Sequence, residues 1–184
     1  MPQTKKTQKG SLFVDWSTAL SLAATAAMFA VPGLRTFVHE SQRSAVVNKL
    51  QLEIRKAAQT ANQTGRTVTL CASNARSDGC GSTNDWSGGW IAFVDADGSG
   101  AMETDERGLR LWSTRNGHAN IAVAGETPAL SFRPFYARPY GGTTPGRLTV
   151  CDRAGSGGSR SIEVDRAGVP RLAETSSGGC RARH

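Results

Sequence analysis

Residues 11–34 (SLFVDWSTALSLAATAAMFAVPGL) form a mostly apolar run in which Asp15 is the only charge. At 1.5 Å of rise per residue this run predicts a helix of roughly 36 Å, long enough to span a bilayer. The ten residues before it, MPQTKKTQKG, carry Lys5, Lys6 and Lys9 and no acid, a composition that keeps them on the cytoplasmic side. A cleaved secretory signal is the competing reading, with AATAAM as its small-residue site. Pro32-Gly33 predicts a kink. Beyond it Val47, Leu50, Ile54, Ala57, Ala58 and Ala61 recur at i, i+3, i+4 and i+7, with Arg43, Lys49, Glu53, Arg55 and Lys56 mostly off that face. The second stretch, 35–64, is therefore an amphipathic helix with one face against a domain, and Gly65 is its natural stop.

From Arg66 onward the period becomes strand-like, in short runs separated by Gly, Pro, Asn and Asp. Strands are expected at 66–71, 89–95, 108–113, 120–124, 129–134, 147–152 and 161–165. The Gly/Pro-rich stretch 137–146 reads as an exposed loop. One long helix followed by antiparallel strands without intervening helices gives an α+β fold, the helix packed on the sheet. The domain plan is a polar leader at 1–10, an apolar half-helix at 11–34, an amphipathic half-helix at 35–64 and a β-rich head at 65–184. No internal repeat is visible, and 184 residues leave little room for a second domain.

Charge divides the chain. Residues 1–64 hold eight cations against three acids, residues 65–114 four against seven, and residues 115–184 ten against five, within a net charge of +7. All cations of the last third are arginines, the side chain best suited to forked contacts with phosphate. Cys71, Cys80, Cys151 and Cys180 are even in number and form no C-x-x-C pair, which points to two disulfides in an oxidising compartment. Three connectivities are possible, and the shortest loops favour Cys71–Cys80 and Cys151–Cys180, each contributing roughly 2–4 kcal/mol.

Candidate chemistry is sparse. The segment DADGSGAMETDE (95–106) can be laid onto a calcium-loop template with Asp95, Asp97, Ser99, Gly100 and Glu106 in register. Serine departs from the third ligand position and strands, not helices, flank the segment, so an acidic glycine-rich turn is the expected reading and no metal or cofactor is assigned. His39, His118 and His184 are far apart and sit in no nucleophile or metal pattern, which argues against an enzyme. Trp86, Trp90 and Phe93 are expected in the core, base stacking being the alternative. Phe135, Tyr136 and Tyr140 interleave with Arg133, Arg138 and Arg147, as on surfaces that track a nucleic-acid backbone.

A carboxylate inside an apolar helix is costly in lipid and marks function. The N-terminus resembles that of type IV pilins: a basic leader ending in Gly10, a mature first residue Ser11, an acid five residues after the cut at Asp15 and a proline at Pro32. The family's usual phenylalanine and glutamate are here Ser11 and Asp15. The resemblance implies cleavage by a prepilin peptidase, methylation of Ser11, and pairing of Asp15 with a neighbouring subunit's amine during assembly. The order GRTVTLCASN, DWSGGWIAFVDADGSG, LSFRP, LTVCDRAG and AGVPRL is similar to the GspH/FimT-type domain over nearly the whole chain. Minor pilins of that kind that capture DNA carry a glycine-arginine-x-arginine motif; Gly168 and Arg171 match it, and Val169 stands where its first arginine would be. A second group, Arg181 and Arg183, follows Cys180.

The resemblance therefore implies a non-enzymatic minor pilin, anchored in the inner membrane by a single pass with its head in the periplasm, then carried into a pilus at the cell surface. Its implied partners are major and minor pilins and double-stranded DNA, bound without sequence preference during natural competence. Arg153, Arg166, Arg171, Arg181 and Arg183 would contact phosphates, with Arg133, Arg138 and Arg147 as further candidates, and the Cys151–Cys180 bond would pin the tail beside Arg153 with Arg166 and Arg171 in reach. The alternative is an assembly-only minor pilin or a minor pseudopilin of a type II secretion system.

Overall fold

The computed structural model describes residues 11–106, 110–118, 120–134, 136–139, 146–153 and 158–174, with backbone alone at several of them, including 11–15, 26–36 and 136–139. Among the described residues one helix, α1 (Ser11–Thr64), precedes nine strands. The chain divides into two units, Met1–His39 and Glu40–His184.

In the first unit the helix carries Trp16, Leu20 and Leu22 at 70%, 66% and 71% exposure. Between them Ser21 donates to the Ser17 carbonyl and Thr25 to the Ser21 and Leu22 carbonyls, the way hydroxyls inside a helix satisfy themselves without water. Among the described residues no helix is long and apolar enough to cross a membrane. Gly10 lies outside the described residues, and Ser11, Asp15 and Pro32 are described as helical backbone only.

The second unit is built on the face the periodicity predicts. Val46, Val47, Leu50, Ile54, Ala57 and Ala61 are buried together, a stripe of i, i+3 and i+4 neighbours. Gly65 ends the helix with φ +66° and its amide on the Ala61 carbonyl, a left-handed cap that side chains other than glycine resist. The strands form two antiparallel sheets. β1 (Val68–Ala72), β2 (Gly89–Val94), β3 (Arg110–Arg115), β5 (Ala129–Arg133) and β6 (Tyr136–Pro139) order as β3-β2-β1-β5-β6. β4 (Ile121–Gly125), β7 (Gly146–Asp152), β8 (Arg160–Val164) and β9 (Pro170–Glu174) order as β4-β7-β8-β9. Both sheets feed one core: Val68, Leu70, Trp90, Ala92, Leu130 and Phe132 from the first, Ile121, Val123, Leu148, Val150, Ile162 and Val164 from the second.

The fold class is as expected, with two sheets in place of one and two strands more. β6 falls in the stretch read as a loop and β9 after the last expected strand. Each is an edge strand bearing a proline, Pro139 or Pro170, and an edge is where a missing N–H does no harm to a ladder. Trp86, Trp90 and Phe93 are all fully buried, which removes base stacking. Trp90 faces the helix. Phe93 joins Cys71, Ile91 and Ala129 in a smaller cluster on the other side of the first sheet. That cluster is closed by the Cys71–Cys80 disulfide and by Met102.

Candidate nucleic-acid interface

Among the described residues, the arginines on or beside the second sheet fall into three environments. At the β8–β9 connection the chain reverses in a tight turn at 165–169. Asp165 Oδ1 accepts the amides of Ala167 at 3.0 Å and Val169 at 2.9 Å. The Gly168 amide donates to the Asp165 carbonyl at 2.9 Å, and Asp165 N donates to the Val169 carbonyl at 3.1 Å. Gly168 has φ +79°, so glycine is the residue that closes this turn without strain. The turn thus holds Arg166 out in solvent, where it has no ion-pair partner among the described residues. Arg171 follows on β9 with its side chain 75% exposed and Nε 3.5 Å from Asp165 Oδ2.

The second environment is the outer face of the second sheet. The register aligns Arg147, Glu163 and Arg171 across β7, β8 and β9. Arg147 pairs with Glu163 and reaches Glu126 at 3.9 Å. Glu163 and Glu126 offset the charge of Arg147, which therefore offers phosphate little net attraction, while the 75% exposed Arg171 faces Asp165 alone. Arg147 is a ladder residue. Arg133 lies beside the acidic turn, where a Cβ placed on Gly98 would be 3.1 Å from its Nη2. Arg138 is on β6, described by backbone only; Phe135, Tyr140, Arg181, Arg183 and Cys180 lie outside the described residues.

The third environment is the far end of the same sheet. Arg153 follows β7, exposed, its amide on the Asn120 carbonyl at 2.9 Å. It stands six residues along the strand from the Arg147 row, roughly 20 Å at 3.3 Å per residue. The expected patch of Arg153 with Arg166 and Arg171 in reach is thus not assembled: antiparallel pairing sends the two groups to opposite ends of the sheet. Arg160 and Arg43, which no sequence signal marks, meet near Arg153's end. Arg160 Nη2 lies 2.5 Å from Glu40 Oε1, and Arg43 pairs with Glu40 and donates to the Gly158 carbonyl. Burial, then the charge of Arg160, holds the Arg43 guanidinium below its ordinary pKa. Cys151 is disulfide-bonded.

The acidic turn at 95–106 brings Asp95, Asp97 and Glu106 oxygens within 4.8 Å of one another. Asp95 and Glu106 are 1% and 2% exposed, and both are supplied with donors. Asp95 Oδ1 accepts Gly98 N at 2.7 Å; its Oδ2 accepts Thr69 Oγ1 at 2.6 Å and Gly100 N at 3.0 Å. Glu106 Oε1 accepts Ala96 N at 2.6 Å. Ser99, the expected third ligand, gives its amide to Asp97 Oδ1 at 2.9 Å and its hydroxyl to the Ala101 carbonyl at 3.2 Å. That amide leads the causes that lower the Asp97 pKa, while the charge of Asp97 leads those that raise Glu103. The turn's carboxylates are met by its own backbone amides.

A helix whose inner stripe closes over two antiparallel sheets, with a second stretch of the same helix carrying exposed apolar side chains, is the plan of a subunit that pilin-like filaments use. Comparison gives the family. The family described as "Type II transport protein GspH" matches residues 46–168, about two thirds of the chain, and the chain belongs to that family of minor pilins and pseudopilins. Two crystal structures of the type IV minor pilin FimU of Pseudomonas aeruginosa share its fold at 18% identity. One covers 77% of this chain and 93% of its own with a TM-score of 0.55, the other 73% and 93% with 0.51. No curated protein matches the chain in sequence. The family match ends at Gly168, so β9 with Arg171 lies beyond it.

Proposed function

We propose that this chain is a membrane-anchored minor pilin that enters or primes a type IV pilus and binds double-stranded DNA during uptake. Cleavage after Gly10 exposes Ser11, residues 11–34 hold the subunit in the inner membrane, and Asp15 sets the register of assembly with neighbouring pilins. The exposed Trp16, Leu20 and Leu22 support an assembling, anchored helix, because large apolar side chains along one helix call for lipid or neighbouring helices to cover them. The observation that carries DNA binding is the turn at 165–169, which presents Arg166 and Arg171 to solvent on a rigid support. Arginine facing phosphate gives affinity without base readout, and among the described residues the head has no element shaped to enter a major groove.

The test is fluorescence anisotropy of the full chain in detergent against a labelled duplex across a salt series. Neutralising three or four phosphates predicts a log-log slope of roughly −3 to −4. Arg171→Gln, Arg181→Gln and Arg183→Gln each flatten it by about one, whereas Arg147→Gln, already paired with Glu163, changes it little. A correctly folded triple variant at 171, 181 and 183 that binds as the parent does removes these arginines as the site. The second reading is a minor pseudopilin of a type II secretion system, favoured by the description of the matched family. No binding by the parent at low salt would select it.

A further inference from the structure

Beside the 165–169 turn lies an open groove of about 520 Å³ whose opposite wall is the C-terminal part of α1. Arg55, Ala58, Gln59, Asn62 and Gln63 line it from the helix, and Ala167, Gly168 and Val169 from the turn. Within the helix Arg55, Gln59, Asn62 and Gln63 stand at i, i+4, i+7 and i+8, hence on one face. Arg55, Gln59, Asn62 and Gln63 are exposed, and Arg55 has no ion-pair partner among the described residues. Half-buried Ala58 and exposed Ala167 give the groove a small apolar lining. Among the described residues no acid lines the groove; the nearest in sequence are Glu53, two residues before Arg55, and Asp165, which spends Oδ1 on two turn amides and faces Arg171 with Oδ2.

The chemistry of this wall is one-sided. A guanidinium and three carboxamides can all donate, and they rise along the helix over about 12 Å, the axial rise of three to four nucleotides of one strand. Asn and Gln are among the side chains that contact phosphate and sugar oxygens. Arg166, exposed, immediately precedes the lining residue Ala167 on the turn. We propose that this groove is where a DNA phosphodiester backbone seats, running between Arg55 on the helix and Arg166 on the turn, with Gln59, Asn62 and Gln63 donating to it. The proposal rests on the DNA-binding reading above and adds the helix to a surface otherwise drawn from the C-terminal third. Charge complementarity selects the occupant: Arg55 lines the groove and Arg166 precedes its lining residue Ala167, both exposed and without ion-pair partners among the described residues, and no carboxylate among those residues lines it.

The experiment uses the full chain in detergent, a labelled duplex and a salt titration, with thermal melts confirming that each variant folds. Arg55→Gln weakens binding several-fold and flattens the salt slope by about one. Arg55→Lys keeps the slope, since the charge remains. Gln59→Ala with Gln63→Ala weakens binding at every salt concentration and leaves the slope unchanged, because neutral donors release no counterion. Lys49→Gln is the control, its ammonium already donating to the Arg115 carbonyl at 3.0 Å. If Arg55→Gln binds with the parent's affinity and slope while Arg181→Gln with Arg183→Gln abolishes binding, the groove is overturned and the DNA reading stands. If the parent itself fails to bind at low salt, both fall.

Discussion

Asp95→Asn tests the account of the acidic turn. The carboxylate is buried and accepts three donors, two of them backbone amides of Gly98 and Gly100. The amide side chain preserves shape but has one acceptor where there were two, so with its oxygen toward Gly98 it turns an NH2 onto Gly100 N–H. Stranding that buried donor costs about 1–3 kcal/mol, and removing the charge from the surviving bond adds about 1 kcal/mol. The expected loss is about 3 kcal/mol, a fall in Tm of roughly 6–12 °C for a domain of this size. Thermal melts by circular dichroism, with and without millimolar Ca²⁺, measure it. The account predicts the same fall in both buffers and a parent Tm indifferent to Ca²⁺. A variant melting within a degree of the parent would refute the hydrogen-bond argument. A parent stabilised by Ca²⁺ through Asp95 would refute the self-sufficient turn, since a bound cation at a hundred times its Kd adds about 2.7 kcal/mol.

Three further outcomes are expected. Cys71→Ala with Cys80→Ala opens a loop of sequence separation 9 and costs about 2.7 kcal/mol by chain entropy, read as a lower denaturant midpoint that matches the reduced parent. Glu103→Gln raises Tm at neutral pH: Asp97 and other acids raise the pKa of Glu103 in the folded state, so its charged form opposes folding above that pKa. The gain disappears below the carboxylate range, and a gain that persists at pH about 3 would contradict the electrostatic cause. Asp15→Ala leaves leader removal intact and lowers the amount of subunit in sheared filaments, measured by immunoblot; undiminished incorporation would remove Asp15 from assembly.

The parts of this fold that depend on local pattern are legible in the sequence. Val47, Leu50, Ile54, Ala57 and Ala61 announce the inner helix face, Gly65 its end, and alternation finds the strands whose inward residues meet that face. The Cys71–Cys80 bond follows from the shortest loop. Pairing between distant strands is not legible: nothing in the runs at 66–71 and 129–134 says that β1 and β5 are neighbours, or that β4 begins a second sheet. The same blindness affects the site. Arg153 and Arg166 look close along the chain, yet β7 and β8 run antiparallel and separate them. Arg147 looks available until its register opposite Glu163 is known. Arg55 reads as one more solvated helix cation, and only the turn at 165–169 gives it a facing wall. Pro139 and Pro170 hid β6 and β9 because a proline argues against a strand unless the strand is known to be an edge.

The central claim, a leader-processed filament subunit, is tested most directly by the mature N-terminus. Intact-mass and N-terminal peptide spectrometry on the membrane fraction of cells that express a prepilin peptidase is expected to find Ser11 as the first residue, carrying one methyl group, and to find the leader retained in Gly10→Val. A mature chain beginning near Met28 would mean an ordinary secretory signal and contradict the claim.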